Sequence, residues 1–172
     1  MKLKRNKNIE LSIIVFWLSC ASITVIYMLT KIYPFGSQTI LTMDMSGQYV
    51  NYLAYFRNIF YDGANIFYDF SMNLGSNCYG LFAYYMSSPL NIILCFFKQE
   101  HITEAILLLN IIKVGLCAAM MTMFLSKITK LNKSSIIILS IMYSLMSYNI
   151  VYSQNIMWLD GAIHLQNMKN KK

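Results

Sequence analysis

The sequence predicts an all-α membrane protein with three transmembrane helices and a long extracytoplasmic loop carrying interfacial or re-entrant helices. Three observations predict this class. Hydrophobic residues make up 57% of the 172 and charged ones only 12%, with a mean hydropathy of +0.48. That leaves too little polar surface for a soluble domain of this length. Three apolar runs reach the roughly 20 residues that a bilayer core requires. The basic residues gather at the ends of those runs, an arrangement that reports orientation and contact with anionic headgroups. The net charge of +7 therefore does not point to nucleic acid, and no basic patch with interleaved aromatics accompanies it.

The first run, Leu11 to Thr30, carries no charge and follows Lys2, Lys4, Arg5 and Lys7. Residues 1–10 are therefore expected in the cytoplasm and 11–32 in the membrane. The run is too long for a signal peptide and no small-residue cleavage site follows, so it reads as a retained anchor ended by Pro34 and Gly36.

Residues 33–104 form the expected outer loop, where Asp44, Asp62, Asp69, Glu100 and Glu104 outnumber Arg57 and Lys98. Tyr49, Tyr52, Phe56, Ile59 and Phe60 recur at three- and four-residue steps, which predicts an amphipathic helix over 46–60 lying among the headgroups. Gln48, Asn51 and Asn58 are its polar positions. Asp44 stands at its head beside Ser46 and Gln48. A carboxylate held there is placed to act as a general base on lipid-linked substrates. Gly75 and Gly80 with Asn73 and Asn77 mark a turn-rich loop, and Asp62-Gly63 reads as a turn at a helix end.

The run Leu81–Phe97 is ambiguous. Its roughly 17 residues lie at the lower limit for a span, and Ser87, Ser88, Pro89 and Asn91 interrupt it. An interfacial or re-entrant helix over 81–97 is the reading preferred to a fourth span. The next span is 105–126 and contains Asn110 and Lys113. A cytoplasmic loop at 127–133 carries Lys127, Lys130 and Lys133. The last span is 134–153, capped by Ser134-Ser135, with Ser140, Ser144 and Ser147 as small residues that let a neighbouring helix approach. Residues 154–172 are read as a tail. With its three lysines set aside, three spans put seven basic residues inside and two outside, whereas four spans give five and four. With them included, the rule slightly prefers four.

Cys20, Cys78, Cys95 and Cys117 form no C-x-x-C pair, and His101 and His164 lie far apart. Neither a metal site nor a disulfide framework is indicated. No cofactor is expected.

Three stretches, "DMSGQYVNYLAYFRNIF", "FYDFSMNLGSNCYGLFAYYMSSPLNIIL" and "YSLMSYNIVYSQNIMWLDG", resemble the amino-terminal part of the YfhO family of bacterial membrane proteins. Together they span nearly all of Met43 to Ala162. The resemblance implies a GT-C glycosyltransferase-like architecture in the plasma membrane. It also implies transfer of a sugar from a polyprenyl-phosphate donor to a cell-envelope acceptor such as a teichoic acid. An acidic residue of the first outer loop serves that chemistry, and Asp44 occupies the position. The leaving phosphate needs a cation, for which Lys113 is the candidate, the other reading being a structural ion pair with an acid on a further helix. Gln48, Gln154, Asn155, Trp158 and Asp160 are the expected sugar-binding residues, with Trp158 stacking on a sugar face and residues 154–160 emerging on the outer side with Asp44. Family members run several hundred residues further, so the resemblance also implies that this chain is an amino-terminal piece, inactive by itself. A transporter or flippase component and a small structural membrane protein are the alternatives.

The charge pattern predicts the sidedness of two loops. In intact cells, with the native cysteines replaced, Ser46→Cys should react with a membrane-impermeant thiol reagent and Lys130→Cys should not. The reverse labelling would overturn the orientation, and reaction at both would restore the fourth span.

Overall fold

The computed structural model describes residues 2–70 and 75–164. Three described helices are long and apolar enough to cross a membrane: Asn8–Leu29, Gln99–Ile128 and Lys133–Gln154. The chain divides into two compact units. One comprises 1–38 with 110–172, and the other 39–109.

In the first unit, α1 (Lys2–Leu29) buries one stripe, Leu11, Val15, Ser19, Ile23 and Tyr27, at four-residue steps. Its other faces, including Ile14, Trp17, Leu18 and Val25, stay exposed, the pattern of a helix at the rim of a membrane bundle. The backbone after Thr30 folds back: Tyr33 N–H donates to the Gln38 carbonyl (2.7 Å) and Gln38 N–H to that of Lys31 (2.9 Å). A Cβ at Gly36 would lie 2.5 Å from both Cβ and carbonyl oxygen of Lys31, so only glycine closes this turn.

Within this unit, α1 comes close to α4 (Ile102–Ile128) at Gly115, where a Cβ would lie 2.5 Å from Cys20 Sγ and 2.9 Å from the Phe16 ring. Small residues permit such contacts where lipid supplies no hydrophobic drive between helices. Several helical hydroxyls are satisfied within their own helix. Ser12 donates to the Asn8 carbonyl (3.0 Å), Thr24 to that of Cys20 (2.8 Å) and Thr122 to that of Ala118 (2.9 Å).

The third span is not one helix. It comprises α5 (Lys133–Ser144), α6 (Ser147–Val151) and a 3-10 turn, Tyr152–Gln154. The cap of α5 is Asn132, whose side chain accepts from Ser135 N–H (2.9 Å), and not the expected Ser134-Ser135. An asparagine oxygen preceding the helix reaches its free amides, which residues inside the first turn cannot do. Met146 is extended at the break. The amide of buried Asn149 donates to the freed carbonyls of Tyr143 (2.9 Å) and Ser144 (3.2 Å). Because of the break, the small-residue stripe ends early: Ser140 and Ser144 are buried and Ser147 is exposed. Ser144 Oγ lies 2.8 Å from Ser19 Oγ, joining α5 to α1. Then α7 (Ile156–His164) packs Ala162 and Ile163 against Cys117, Leu116 and Met120 of α4 and Tyr143 of α5. Residues 165–172, with the tail lysines weighed in the charge count, lie outside the described residues, as does Asn73.

The second unit is built on α2 (Val50–Tyr61), which follows a π-helical turn, Met45–Tyr49. Its predicted aromatic stripe is a packing face rather than a headgroup face. Tyr49, Tyr52 and Phe56 are buried together with Met45 and Leu53, Ile59 is half-buried and Phe60 is exposed. They meet the run expected as a single helix over 81–97, which is two pieces. The first, α3 (Cys78–Leu81), continues through a π-helical stretch, Phe82–Met86. The second is a 3-10 helix, Pro89–Phe96. Proline forces Ser88 into the extended region and so separates them. Buried Asn91 bridges the gap by donating to the Met86 carbonyl (3.0 Å). No single continuous helix covers this run. Between α2 and α3, Tyr68–Asp69 and Ser76–Asn77 form a two-residue antiparallel ladder, and Asn77 caps α3 by accepting from Tyr79 N–H (3.0 Å).

The close approach at Gly115 makes a stability prediction. Gly115→Ala should lower unfolding stability in detergent by about 1–3 kcal/mol through overpacking. Gly161→Ala adds a Cβ that meets nothing within 4 Å, and it should be neutral or stabilising. Equal behaviour of the two variants in a thermal or denaturant titration would contradict the packing.

Candidate functional site

Two constellations of polar groups occur, one in each unit.

In the second unit, Met43 adopts a left-handed conformation (φ 47°), sparsely populated for residues other than glycine. Its carbonyl accepts from Ser46 Oγ (2.9 Å), Gly47 N–H (3.1 Å) and Ser46 N–H (3.2 Å). This knot opens the π-helical turn and leaves Asp44, Ser46 and Gln48 exposed. Beside Asp44 lies a tyrosine cluster. The Tyr49 and Tyr85 rings meet edge to face at 5.2 Å, Tyr52 and Tyr85 at 4.7 Å, and Tyr84 and Tyr85 edge to face at 4.7 Å. Burial first, then the neighbouring phenols Tyr85 and Tyr84 and the Asp44 charge, push the Tyr49 hydroxyl up to about 12. Tyr85 is raised by burial, by Tyr52 and Tyr84, and by Asp44. Both phenols therefore stay protonated at neutral pH and remain hydrogen-bond donors. An exposed carboxylate next to protonated phenols and aromatic faces can accept a proton and bind a polyol. Tyr84 and Tyr85 are missing from the sequence-based site, although the doublet in "FAYYM" is its visible signal.

Tyr55, Arg57 and Asp62 of this unit serve the framework. Tyr55 hydroxyl reaches the Asn65 carbonyl (2.6 Å) and Asp69 Oδ2 (3.1 Å). Arg57 Nε donates to the Phe97 carbonyl (2.6 Å), its guanidinium 4.5 Å from the Tyr61 ring centre. Asp62 closes α2, its N–H donating to the Asn58 carbonyl (2.9 Å).

In the first unit, Lys113 is completely buried near the middle of the Gln99–Ile128 span. This is deeper than the sequence implies, because the helix begins before residue 105. Its ammonium donates to Asp160 Oδ2 (2.8 Å) and to the Ile156 carbonyl (3.0 Å). The acid expected on a further helix is thus Asp160 of the same chain. The Asp160 carboxylate is held against Lys113, its side chain 24% exposed. The break after α5 and the return of α7 bring it there. Asn110, one turn from Lys113, is fully buried, and neither atom of its amide has a hydrogen-bond partner among the described residues. Asn155 is also buried, its Oδ1 unpartnered. Gln154 is half-buried. Trp158 is 39% exposed and tilts against Tyr152, ring centres 5.2 Å apart. The described residues hold no group of three His, Cys, Asp or Glu suited to a metal ion.

A family model described as bacterial membrane protein YfhO matches residues 15–165. No curated protein and no solved structure matches the chain. The chain belongs to the YfhO family of bacterial membrane proteins.

The buried ion pair predicts strong coupling. Asp160→Asn or Lys113→Met alone should cost about 3–5 kcal/mol by leaving one charge uncompensated. The double variant should cost less than the sum of the two by about 1–3 kcal/mol. Additive losses in a double-mutant cycle would show that the pair makes no energetic contact.

Proposed function

We propose that the chain is part of a plasma-membrane glycosyltransferase that moves a sugar from a polyprenyl-phosphate donor to a cell-envelope acceptor such as a teichoic acid. The observation that carries this reading is the exposed Asp44 carboxylate beside the neutral phenols of Tyr49 and Tyr85. In this reaction the acceptor hydroxyl oxygen bonds to the anomeric carbon. The bond between that carbon and the phosphate oxygen breaks, and the phosphate departs with the electron pair. Asp44 takes the hydroxyl proton as general base. Phenolic hydroxyls and Gln48 offer hydrogen bonds to sugar hydroxyls, and tyrosine faces suit the apolar face of a pyranose.

Lys113 has a smaller part in this scheme than a free cation would have. Asp160 and a backbone carbonyl already neutralise and solvate it. A donor phosphate would have to displace the carboxylate. Lys113 is therefore assigned to positioning the segment with Gln154, Asn155 and Trp158, from which Trp158 and Gln154 can reach a sugar.

A transporter or flippase component is the second reading. The break at Leu145–Met146 and the unpartnered Asn110 amide favour it, since broken helices and buried polar groups mark substrate paths.

The test uses this chain and a longer family member in parallel, supplied with a labelled polyprenyl-phosphate sugar. Asp44→Asn should lower transfer by about 10²–10⁴ with unchanged membrane insertion, whereas Asp62→Asn should be nearly silent. A folded Asp44→Asn protein with normal transfer excludes the role of Asp44. Movement of the labelled lipid across vesicles without transfer supports the second reading.

A further inference from the structure

An apolar groove of about 430 Å³ runs along one side of the first unit. Its walls are Ile13, Phe16 and Trp17 of α1 and Leu116, Ala119 and Met120 of α4. Ala119 leaves room between larger neighbours. The hydroxyl in it, Ser12, already donates to the Asn8 carbonyl (3.0 Å), so the groove asks nothing polar of an occupant. At one end it continues, through the shared residues Ile9 and Met123, into a second hollow of about 280 Å³ bordered by Asn8 and Lys127. Asn8 begins the first span and Lys127 lies one residue from the end of the second, so both stand at the same membrane surface. Lys127 is exposed and makes no ion pair with any described residue.

We propose that this groove is a binding site for an anionic phospholipid. One acyl chain lies along Phe16, Trp17 and Ala119, and the headgroup phosphate sits at Lys127. The reasoning is charge complementarity combined with amphipathic shape. A lipid of the surrounding leaflet carries a hydrocarbon chain and a phosphate in that order from the bilayer interior, and the groove presents an apolar body and then a cation in the same order. Nine residues of helix separate Asn8 from Trp17, about 14 Å of rise, which sets the indole at acyl-chain depth. A helix from a second copy would fill the apolar body but would leave Lys127 without a counter-charge. This inference is independent of the role given to Asp44.

The test reads Trp17 fluorescence in vesicles. The chain has two tryptophans, so Trp158→Phe leaves Trp17 as the reporter. The probes are phosphatidylglycerol and phosphatidylcholine brominated on their acyl chains, each titrated into vesicles of the other, unbrominated lipid. Trp17 should be quenched with a preference of about fivefold for phosphatidylglycerol, the scale of one lysine near a phosphate. Lys127→Gln should bring the preference close to parity. Lys130→Gln, which alters a lysine outside the groove, should leave it in place. Lys127 is surface-exposed, and unchanged helical circular dichroism checks that its replacement leaves the fold intact. Equal quenching by the two lipids in the starting protein would overturn the proposal. An equal effect of Lys130→Gln would reduce it to diffuse surface attraction. Loss of quenching as the protein self-associates would assign the groove to a second copy.

Discussion

The organisation of the first unit depends on one buried cation. An ammonium deep in a membrane costs several kcal/mol unless it is paired and hydrogen-bonded. Lys113 has complete burial and two acceptors, the Asp160 carboxylate and the Ile156 carbonyl. Both acceptors lie on α7, so satisfying Lys113 fixes where α7 lies along α4. The neighbouring contacts follow the same alignment. Cys117, one turn beyond Lys113, packs with Ala162 and Ile163, and Tyr143 hydroxyl donates to the Ala162 carbonyl (3.1 Å). Apolar packing alone would tolerate sliding of α7, whereas the ion pair specifies its register.

Asparagine serves the backbone of this chain repeatedly. A broken helix in an apolar setting frees carbonyl and amide groups that water cannot reach. Asn149 donates across the break after α5 and Asn91 across the break before Pro89. Asn132 and Asn77 accept from the first turns of α5 and α3. A short amide side chain carries both a donor and an acceptor and reaches its own vicinity with little entropy to lose. Against that background Asn110 stands apart, since both of its amide atoms are buried and unpartnered among the described residues. Buried orphans of this kind are rare in folded proteins because each forfeits its hydration.

The second unit is an aromatic core with an exposed carboxylate at its edge. Tyr49 at the end of the π-helical turn and Tyr52 and Phe56 on α2 meet Phe82 and Tyr85 across a small interface, where edge-to-face, tilted and stacked pairs suit the ring quadrupoles. The left-handed Met43 backbone turns the chain so that Asp44 stays in solvent while Met45, the next residue, is completely buried. The carboxylate is thus anchored by its neighbours rather than by its own bonds.

The sequence by itself determined the membrane class, the three apolar spans and the interruption of 81–97 at Ser87-Ser88-Pro89. These follow from composition, run length and the local effect of Ser-Ser-Pro, all of which act within a few residues. Tertiary structure decided what depends on residues far apart in the chain. The aromatic stripe of α2 is read from its period, but that period is the same whether the face meets lipid headgroups or another segment. Asp160 and Lys113 are each visible as charges, yet their pairing requires the chain to break after Ser144 and return as α7. No local propensity near either residue encodes that return, because its driving force is the desolvation of an ammonium 47 residues away. A buried charge chooses its partner only once the surrounding helices have removed the water that would otherwise have satisfied it.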